Sequence, residues 1–327
     1  MKILWLRPDK PENISVGRYR IAEWLREAGH EVDVWNTDYR SFRSVLAADP
    51  DVIVGTTRFG AIVGCWKALL SDTPFIVDHI DPIAQLRRNH GWTYSWLVSQ
   101  VEKLTFRVAD HVFVVYEEEL PRVQNQNTAV SKTPLGVDYH DFATPTTDVQ
   151  NYAQNIIETE TNSDRKLLIY VGGLEPVYNL STVVDSMNYL DDWQFLVLGD
   201  GSQRHYIETA AANSDRVVYL GTVDHEYVPG FLHESDVGIC LSDDPNTLKI
   251  LEYGAARLPT VSVEGDAEVR YDGLVEFCSL DPTDVARAVE TSIEAVPVAE
   301  FQAFTRQFGW DSIAAQYESV LQSVGDV

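Results

Sequence analysis

The chain is poor in cysteine, in basic residues and in long apolar runs, and each scarcity excludes a class of protein. Its three cysteines, Cys65, Cys240 and Cys278, are widely spaced and set among apolar residues. An odd, scattered set of this kind is typical of reduced, buried thiols and excludes a disulfide framework or a zinc knuckle. We therefore expect a reducing compartment, the cytoplasm.

Basic residues are few, because 7 Lys and 18 Arg stand against 50 Asp and Glu, for a net charge of −25. Neutralisation of phosphates by Lys and Arg supplies most of the affinity for nucleic acids, so DNA and RNA are excluded as partners. The bias resembles that of haloarchaeal, halophilic proteins, since molar salt screens the repulsion between carboxylates. An acidic protein from an ordinary cell is the alternative.

Apolar runs are short throughout. Only four apolar residues follow Lys2 before charge returns at Arg7, which is too few for a secretory signal. No uncharged apolar run approaches the ~18 residues of a membrane-spanning helix. Any membrane contact is therefore expected to be peripheral, at the inner face of the cell membrane.

What is present is a repeated alternation of short β-branched runs and helical spacing. At 327 residues the chain exceeds the usual size of one core, so we expect two domains of about 150 residues. One series of strands runs from Ile3 to Tyr116 and a second from Leu167 to Val263. The pattern predicts an α/β protein of two doubly wound, Rossmann-like domains that face each other across a ligand-binding cleft.

The domain boundaries follow from composition. We expect a first domain at residues 1–145, a polar linker or insertion at 146–166, a second domain at 167–305 and a terminal segment at 306–327. Within that last segment, apolar residues at helical spacing between Ile313 and Leu321 predict a helix.

The most informative stretch begins with two acids eight residues apart, Asp244 and Glu252, around a predicted helix start near Asn246. Amides at a helix start have no partner within the helix, so those of Asn246, Thr247 and Leu248 form an anion site that fits a diphosphate. One acid is then placed to hold a sugar and the other a ribose. The alternative is an ordinary amphipathic helix with an exposed polar face.

This stretch resembles the donor site of the retaining, GT-B-fold glycosyltransferases of family four, the glycosyl transferases group 1. There a Glu, seven residues, a second Glu and a small-residue run precede Pro-Val-Val, and Asp244 stands for the first Glu. Four further blocks match in order: Leu167–Leu174, Phe195–Gly201, Val217–Val223 and Phe308–Asp311. The first half matches more loosely, through a glycine loop at Gly17 and the segment Pro134–Phe142.

The resemblance implies a hexosyltransferase-type enzyme of glycan biosynthesis that moves a sugar from a UDP-, GDP- or dTDP-sugar to a glycan, lipid-phosphate or other hydroxyl acceptor. The anomeric configuration is retained, and no metal or cofactor is needed. The donor phosphate helps to deprotonate the acceptor, while the protein positions the reactants and stabilises the departing diphosphate. The terminal segment is expected to cross back onto the first domain.

The resemblance also implies roles for particular residues. Asp244, His79 and Lys249 are the expected catalytic residues, although the best alignment places Ile80 at the family's histidine, and a slip of one residue swaps faces on a strand. The expected donor-binding residues are Gly17, Arg18, Gly172, Gly173, Arg204, Val223, Asn246, Thr247, Leu248 and Glu252.

One departure from the family is serious. Gly173 and Tyr178 stand where the family usually has an Arg and a Lys that clasp the diphosphate. We nominate Lys249, Arg204, Arg270 and, in the first domain, Arg18 as the compensating cations, while a solvated surface Arg204 is the alternative. Two other functions stay open: a nucleotide-sugar epimerase, and a catalytically silent relative that binds a nucleotide sugar.

A basic and aromatic patch, Arg87–Leu97, stands out within the acidic chain. Trp and Tyr favour the headgroup zone of a bilayer and Arg favours anionic lipid, so the patch suits peripheral membrane contact near a lipid-linked acceptor. The interpretation that we prefer is that Trp92, Trp96 and Leu97 begin a helix to Val108 and pack in the core, because aromatic side chains are mostly core residues.

Overall fold

The structure is a computed structural model that describes residues 1–8, 16–37 and 42–325. The chain divides into two compact units. The first contains the residues up to Gly136 and the C-terminal segment from Trp310, and the second contains Val137–Gly309.

The first unit is built on a six-stranded parallel sheet of order β2-β1-β3-β4-β5-β6. The strands are β1 (Lys2–Pro8), β2 (Glu31–Thr37), β3 (Val52–Thr56), β4 (Phe75–His79), β5 (His111–Val114) and β6 (Val130–Lys132). The helices between them are α1 (Val16–Glu27), α2 (Phe42–Ala47), α3 (Thr57–Ser71), α4 (Ile83–His90), α5 (Trp92–Val108) and α6 (Leu120–Gln124).

The second unit repeats this plan with a parallel sheet of order β12-β11-β10-β7-β8-β9. Its strands are β7 (Lys166–Val171), β8 (Trp193–Leu198), β9 (Val217–Gly221), β10 (Val237–Cys240), β11 (Thr260–Val263) and β12 (Glu276–Cys278). Its helices are α7 (Tyr139–Ala143), α8 (Thr147–Glu160), α9 (Leu180–Ser186), α10 (Arg204–Asn213), α11 (Val228–His233), α12 (Leu248–Ala255), α13 (Asp266–Tyr271), α14 (Pro282–Ala295) and α15 (Val298–Arg306). Two doubly wound parallel sheets confirm the predicted α/β fold class.

The last helix, α16 (Trp310–Gly325), belongs to the first unit, where it packs against α1. Each face of that unit's sheet carries its own core. One core joins Leu4 and Val112 to residues of α2, α3 and α5, and the other joins Ile3 to α1 and α16 through residues such as Leu25 and Tyr317. Burial on both faces explains why β3 and β4 have no exposed residue.

The segment at 146–166, expected to be a linker or insertion, is part of the second unit in the structure. Residues 147–160 form α8, which packs against α11 within the second unit. Ala153 is fully buried there, and Gly230 lets the α8 backbone approach, since a Cβ on Gly230 would lie 2.4 Å from the Val149 carbonyl oxygen. The expected boundary at 145 is likewise shifted to Gly136, because Phe142 is buried in the core of the second unit.

The aromatic patch also corrects an expectation. The predicted helix to Val108 is present as α5, but the core position preferred for its first residues is wrong. Trp92, Trp96 and Leu97 are 62%, 50% and 58% exposed. Every helix within the described residues is too short or too polar to cross a bilayer.

Candidate functional site

The candidate donor site lies where β7, β8 and β10 of the second unit end. The loops after β7 and β8 meet backbone to backbone: the amide of Gly172 donates to the Leu198 carbonyl at 2.9 Å, and that of Leu174 donates to Asp200 at 2.9 Å. Gly199 has a φ of 134°, and a Cβ there would come 1.9 Å from the carbonyl oxygen of Gly172. Only glycine permits this approach, which leaves backbone rather than side chains at the strand ends.

Lys249, in the first turn of α12, lies directly over Gly172. A Cβ on Gly172 would be 2.4 Å from the lysine Cε and 2.9 Å from its Nζ, so the missing side chain makes room for the amine. The Nζ is 3.8 Å from the ring centroid of Tyr178 and 5.6 Å from that of Tyr170. Among the described residues no carboxylate forms an ion pair with it.

The start of α12 corrects the predicted anion site. The helix begins at Leu248, two residues later than expected, with Thr247 as its N-cap. Asp244 occupies both earlier amides, because its carboxylate accepts from the Asn246 amide at 2.9 Å and its carbonyl accepts from the Thr247 amide at 3.1 Å. The amides without helical partners are therefore shifted towards Leu248, Lys249 and Ile250.

The loop that leads into α12 is held from α13. Arg270 donates to the Pro245 carbonyl at 2.6 Å and to the Asn246 side chain at 3.1 Å, and its guanidinium stacks 4.6 Å from the Phe308 ring centroid. Arg270 therefore supports the loop through these contacts. Its nomination as a cation that compensates for the missing basic residues is corrected.

Asp244 and Lys249 both lie close to the buried thiol of Cys240. Burial raises the pKa of Cys240 to about 11, the charge of Lys249 lowers it and that of Asp244 raises it. The carboxylate of Asp244 is exposed. The charges of an amine and an acid therefore both act where β10 ends.

Glu252 has a partner that the sequence did not reveal. Its Oε1 lies 3.2 Å from Nε2 of His225, which follows β9, and the His225 ring is 5.5 Å from that of Phe142. The glutamate side chain is 15% exposed, whereas the histidine is 62% exposed. Val223, the expected site of base recognition, is half-buried in the same loop after β9. In the sequence, the only signal for a role of His225 is that it follows β9 in the same loop as Val223.

Arg204 is paired with acids and exposed. Its guanidinium donates to Glu208 at 2.7 Å and lies 3.5 Å from Asp200, on the exposed surface of α10. The hydrogen bond to Glu208 raises the pKa of Arg204. The solvated alternative therefore describes this residue, and its nomination for the diphosphate is corrected.

In the first unit, Gly17 and Arg18 have structural explanations. A Cβ on Gly17 would lie 2.2 Å from the Trp310 ring, so Gly17 is required for packing of α16. Arg18 is 5% exposed and forms two hydrogen bonds of 2.8 Å with Asp78. Because this guanidinium neutralises a buried carboxylate, the expectation that Arg18 supplies the missing charge is corrected.

Asp78 is the centre of that buried group. Its oxygens also accept from Thr56 and from Tyr317 of α16, each at 2.8 Å. Burial by itself raises the pKa of Asp78, but the charge of Arg18 and these hydrogen bonds hold it below its usual value. The Asp78 carboxylate is thus fully engaged by these partners. Among the described residues no cluster of three metal-binding side chains is present.

His79 ends β4 within a second buried network. Its Nε2 lies 3.0 Å from Glu119, and the ring is 3% exposed. Glu119 also pairs with Arg122 and accepts from the Ile83 amide at 2.8 Å. The histidine is thus positioned by an acid in the first unit, and its catalytic role stays a prediction.

The fold and part of the sequence match known glycosyltransferases. The fold is that of the GT-B glycosyltransferases, and residues 165–295 match the family model for glycosyl transferases group 1. Among curated proteins, a phosphatidylinositol N-acetylglucosaminyltransferase component of Arabidopsis thaliana is 30% identical over 137 residues. That match covers 39% of this chain and 31% of the plant protein, less than a third of its length.

Solved structures extend the similarity to the whole chain. HepE of Anabaena in complex with UDP has a TM-score of 0.74 at 17% identity and covers 99% of this chain and 100% of its own. WaaG, a glycosyltransferase of lipopolysaccharide biosynthesis, has a TM-score of 0.65 at 13% identity, covering 97% of this chain and 99% of its own. At such identities the similarity establishes the fold alone.

Proposed function

We propose that this chain is a glycosyltransferase that moves a sugar from a nucleotide diphosphate to an acceptor hydroxyl or lipid phosphate, with retention at the anomeric carbon. The observation that carries the proposal is Lys249, whose amine lies over Gly172 inside the segment that matches the family. Two of the structural neighbours are complexes with UDP and with UDP-glucose, which supports a nucleotide-sugar donor.

In this proposal the diphosphate lies along the backbone at Gly173 and the first turn of α12, with the Lys249 amine beside it. A helix N-terminus attracts an anion through its partnerless amides and its dipole. Negative charge grows on the diphosphate as the bond to the sugar breaks, so these fixed donors stabilise the transition state more than the ground state. Lys249 thereby replaces the basic pair that the family usually has.

The two acids flank this anion site. Asp244 holds hydroxyls of the sugar through its exposed carboxylate, and Glu252 holds the ribose while His225 fixes its orientation. The backbone at Val223 contacts the base, which leaves the choice among uridine, guanosine and thymidine to the donor panel described next.

Retention follows from the position of the base that deprotonates the acceptor. A phosphate oxygen of the donor takes the acceptor proton on the face from which the diphosphate departs, so the new bond forms on that same face. The protein contributes by holding the two reactants in this geometry.

The proposal is tested by incubating the full chain with UDP-, GDP- and dTDP-sugars in concentrated KCl, with and without simple glycan acceptors. Calorimetry measures binding, and release of free nucleotide measures turnover. We expect one nucleotide to bind and to be released, and the anomeric proton coupling of the product to show retention. Binding of no donor contradicts the proposal.

Two other outcomes identify the alternatives. Binding without release indicates a silent relative, which the glycine and tyrosine at positions 173 and 178 favour. Conversion of the donor sugar to its epimer without release indicates an epimerase.

A further inference from the structure

The outer face of α3 and α5 in the first unit is apolar to an unusual degree. These two helices pack against each other and carry ten of the nineteen large hydrophobic side chains that are exposed in the described residues. The apolar–basic face is defined here by six apolar residues that are each at least 50% exposed and by three exposed arginines, which are Trp66, Leu69, Leu70, Trp96, Leu97, Leu104, Arg87, Arg88 and Arg107. Exposed apolar side chains concentrated on two neighbouring helices indicate a binding surface for a protein or a membrane.

The charge of this region is opposite to that of the chain. Residues 57–71 and 83–108 contain six Lys and Arg but one Asp or Glu, in a chain with 25 and 50 of them. That single acid, Glu102, is buried and paired with Arg58 and Arg122. The described surface of α3, α4 and α5 therefore presents basic side chains without an exposed carboxylate, while the chain as a whole has a charge of −25.

The basic side chains stand beside the apolar ones. Arg87 and Arg88 are exposed near the end of α4, which packs against α5, and Arg107 is exposed in the last turn of α5. On α5 the residues Trp96 and Arg107 are eleven apart, which is three helical turns, so they share one side of the helix. Next to them the apolar stripe continues through Leu97 and Leu104.

We propose that the apolar–basic face binds the surface of an anionic lipid bilayer. A helix that lies in the interface places Trp and Leu at the level of the acyl boundary and keeps Lys and Arg at the headgroups. Anionic lipid attracts each basic side chain near the surface by ~1 kcal/mol, and the same lipid repels the acidic remainder of the chain. Charge complementarity thus favours anionic lipid as the partner and the apolar–basic face as the surface that contacts it.

A second copy of the chain fits this face less well. A symmetric contact places the same surface on both sides of the interface, so the basic side chains of one copy would face the basic surface of the other, which has no exposed carboxylate among its described residues to pair with them. Like charges at an interface oppose association. A bilayer has no such conflict.

The test is co-flotation of the full chain with vesicles of phosphatidylglycerol or of phosphatidylcholine. We expect partition into phosphatidylglycerol that falls by at least about tenfold in a Trp96→Ser, Leu97→Ser variant. The matched control changes two exposed hydrophobic residues of the second unit, Tyr189→Ser and Val269→Ser, and keeps wild-type partition. Since each changed side chain is exposed, circular dichroism is expected to be unaltered.

The charged part is tested separately. Arg87→Gln with Arg88→Gln lowers partition at low salt and loses its effect as KCl screens the surface, whereas the Trp96, Leu97 variant keeps its defect at every salt concentration. The control for lost charge is Arg20→Gln with Arg257→Gln. Both of those arginines are exposed and lie outside the patch.

Two results would overturn the proposal. One is partition that is equal for the two lipids and for all variants. The other is a chain that light scattering shows to be a dimer and that the Trp96, Leu97 variant turns into a monomer, since the face is then a contact between copies. Neither readout involves sugar transfer, so the inference stands or falls independently of the proposed reaction.

Discussion

At the residue scale, Tyr178 determines how Lys249 is presented. A tyrosine beside a glycine-rich phosphate loop is a poor replacement for a basic residue if it is considered alone. Its ring centroid lies 3.8 Å from the lysine Nζ, however, so an amine from α12 stands beside this loop. In the proposed function the positive charge thus comes from another element and is positioned by an aromatic ring.

We predict that Tyr178→Ala weakens binding of the preferred nucleotide diphosphate by between about twofold and thirtyfold, because a cation–π contact contributes ~0.5–2 kcal/mol. Tyr178→Phe keeps the ring and is expected to bind as the wild type does. Calorimetry on both variants, with Tyr189→Ala as the control for an exposed tyrosine, checks this. Equal loss in the Phe and Ala variants would assign the effect to the hydroxyl instead.

Gly199 gives a prediction about stability. Gly199→Ala places a Cβ 1.9 Å from the Gly172 carbonyl at a φ of 134°, so the loops that carry the site must separate. We expect a decrease of at least ~3 kcal/mol in the free energy of unfolding, against ~1–2 kcal/mol for Gly273→Ala, whose Cβ meets no atom within 4 Å. Urea unfolding measures both. A similar loss of unfolding free energy in the two variants would mean that the loops can separate without cost.

At the element scale, the two buried networks of the first unit join strands to helices that are distant in sequence. Arg18 of α1, Asp78 of β4 and Tyr317 of α16 meet at one carboxylate. The second network joins β4 to α3, α5 and α6 through His79, Glu119 and neighbouring arginines. Loss of one member of such a buried group leaves an unpaired charge, so each network ties its elements strongly together.

Glu119 makes the second network sensitive to pH. Burial tends to raise its pKa, but the hydrogen bond to His79 and the charge of Arg122 lower the pKa to about 2 from 4.5. A carboxyl group whose pKa is lower in the folded state stabilises the fold at pH values above its unfolded pKa. That stability is lost as the pH falls from about 5 towards 2.

We therefore predict that Glu119→Gln is less stable than the wild type at pH 7, by a difference on the order of 3 kcal/mol, and that the two converge only near pH 2. Urea unfolding across this range is the measurement. Glu118→Gln, an exposed neighbour, is the control and is expected to follow the wild type at every pH. A gap that is constant with pH would contradict the assigned pKa.

Elements were predictable from the sequence where burial was complete. The run Val52–Thr56 is buried on both faces and therefore apolar, whereas β6 and β12 have three residues each at sheet edges and leave no readable pattern. Helix α8 has the composition of a linker because it buries one narrow face and exposes polar residues elsewhere.

The candidate site was predictable only in part. The motif around Asp244 and Glu252 located it, but not its hydrogen bonds. Asp-Pro-Asn is a turn signal, and recognising it would have predicted that Asp244 takes the Asn246 amide. The pairing of Arg18 with Asp78 joins residues sixty positions apart, for which a single sequence carries no local signal.

At the scale of the whole molecule, the charge of −25 is the dominant property. The screening length is ~10 Å at 0.1 M salt and ~3 Å at 1 M, so neighbouring carboxylates repel each other far less in concentrated salt. A chain with few lysines has few surface cations to offset that repulsion. Stability is thus expected to depend on salt through charge.

We predict that the melting temperature rises steadily as KCl increases from about 0.1 M to about 3 M, which we propose reflects a halophilic origin. Sucrose of matched osmolality is the control, because it strengthens burial without screening charge. The rise is expected to be larger in KCl. A melting temperature that is unchanged by KCl, or raised equally by sucrose, would argue for an ordinary acidic protein.

We propose that the second unit receives a nucleotide diphosphate at Lys249, where α12 begins over Gly172. The most direct measurement is calorimetric titration of wild type, Lys249→Met and Arg204→Gln with UDP, GDP and dTDP in concentrated KCl. We predict that Lys249→Met weakens the affinity for the bound nucleotide by at least about tenfold. Arg204→Gln is expected to leave that affinity unchanged, since Arg204 is paired on α10. Equal affinity in wild type and Lys249→Met, or a loss confined to Arg204→Gln, would contradict the account.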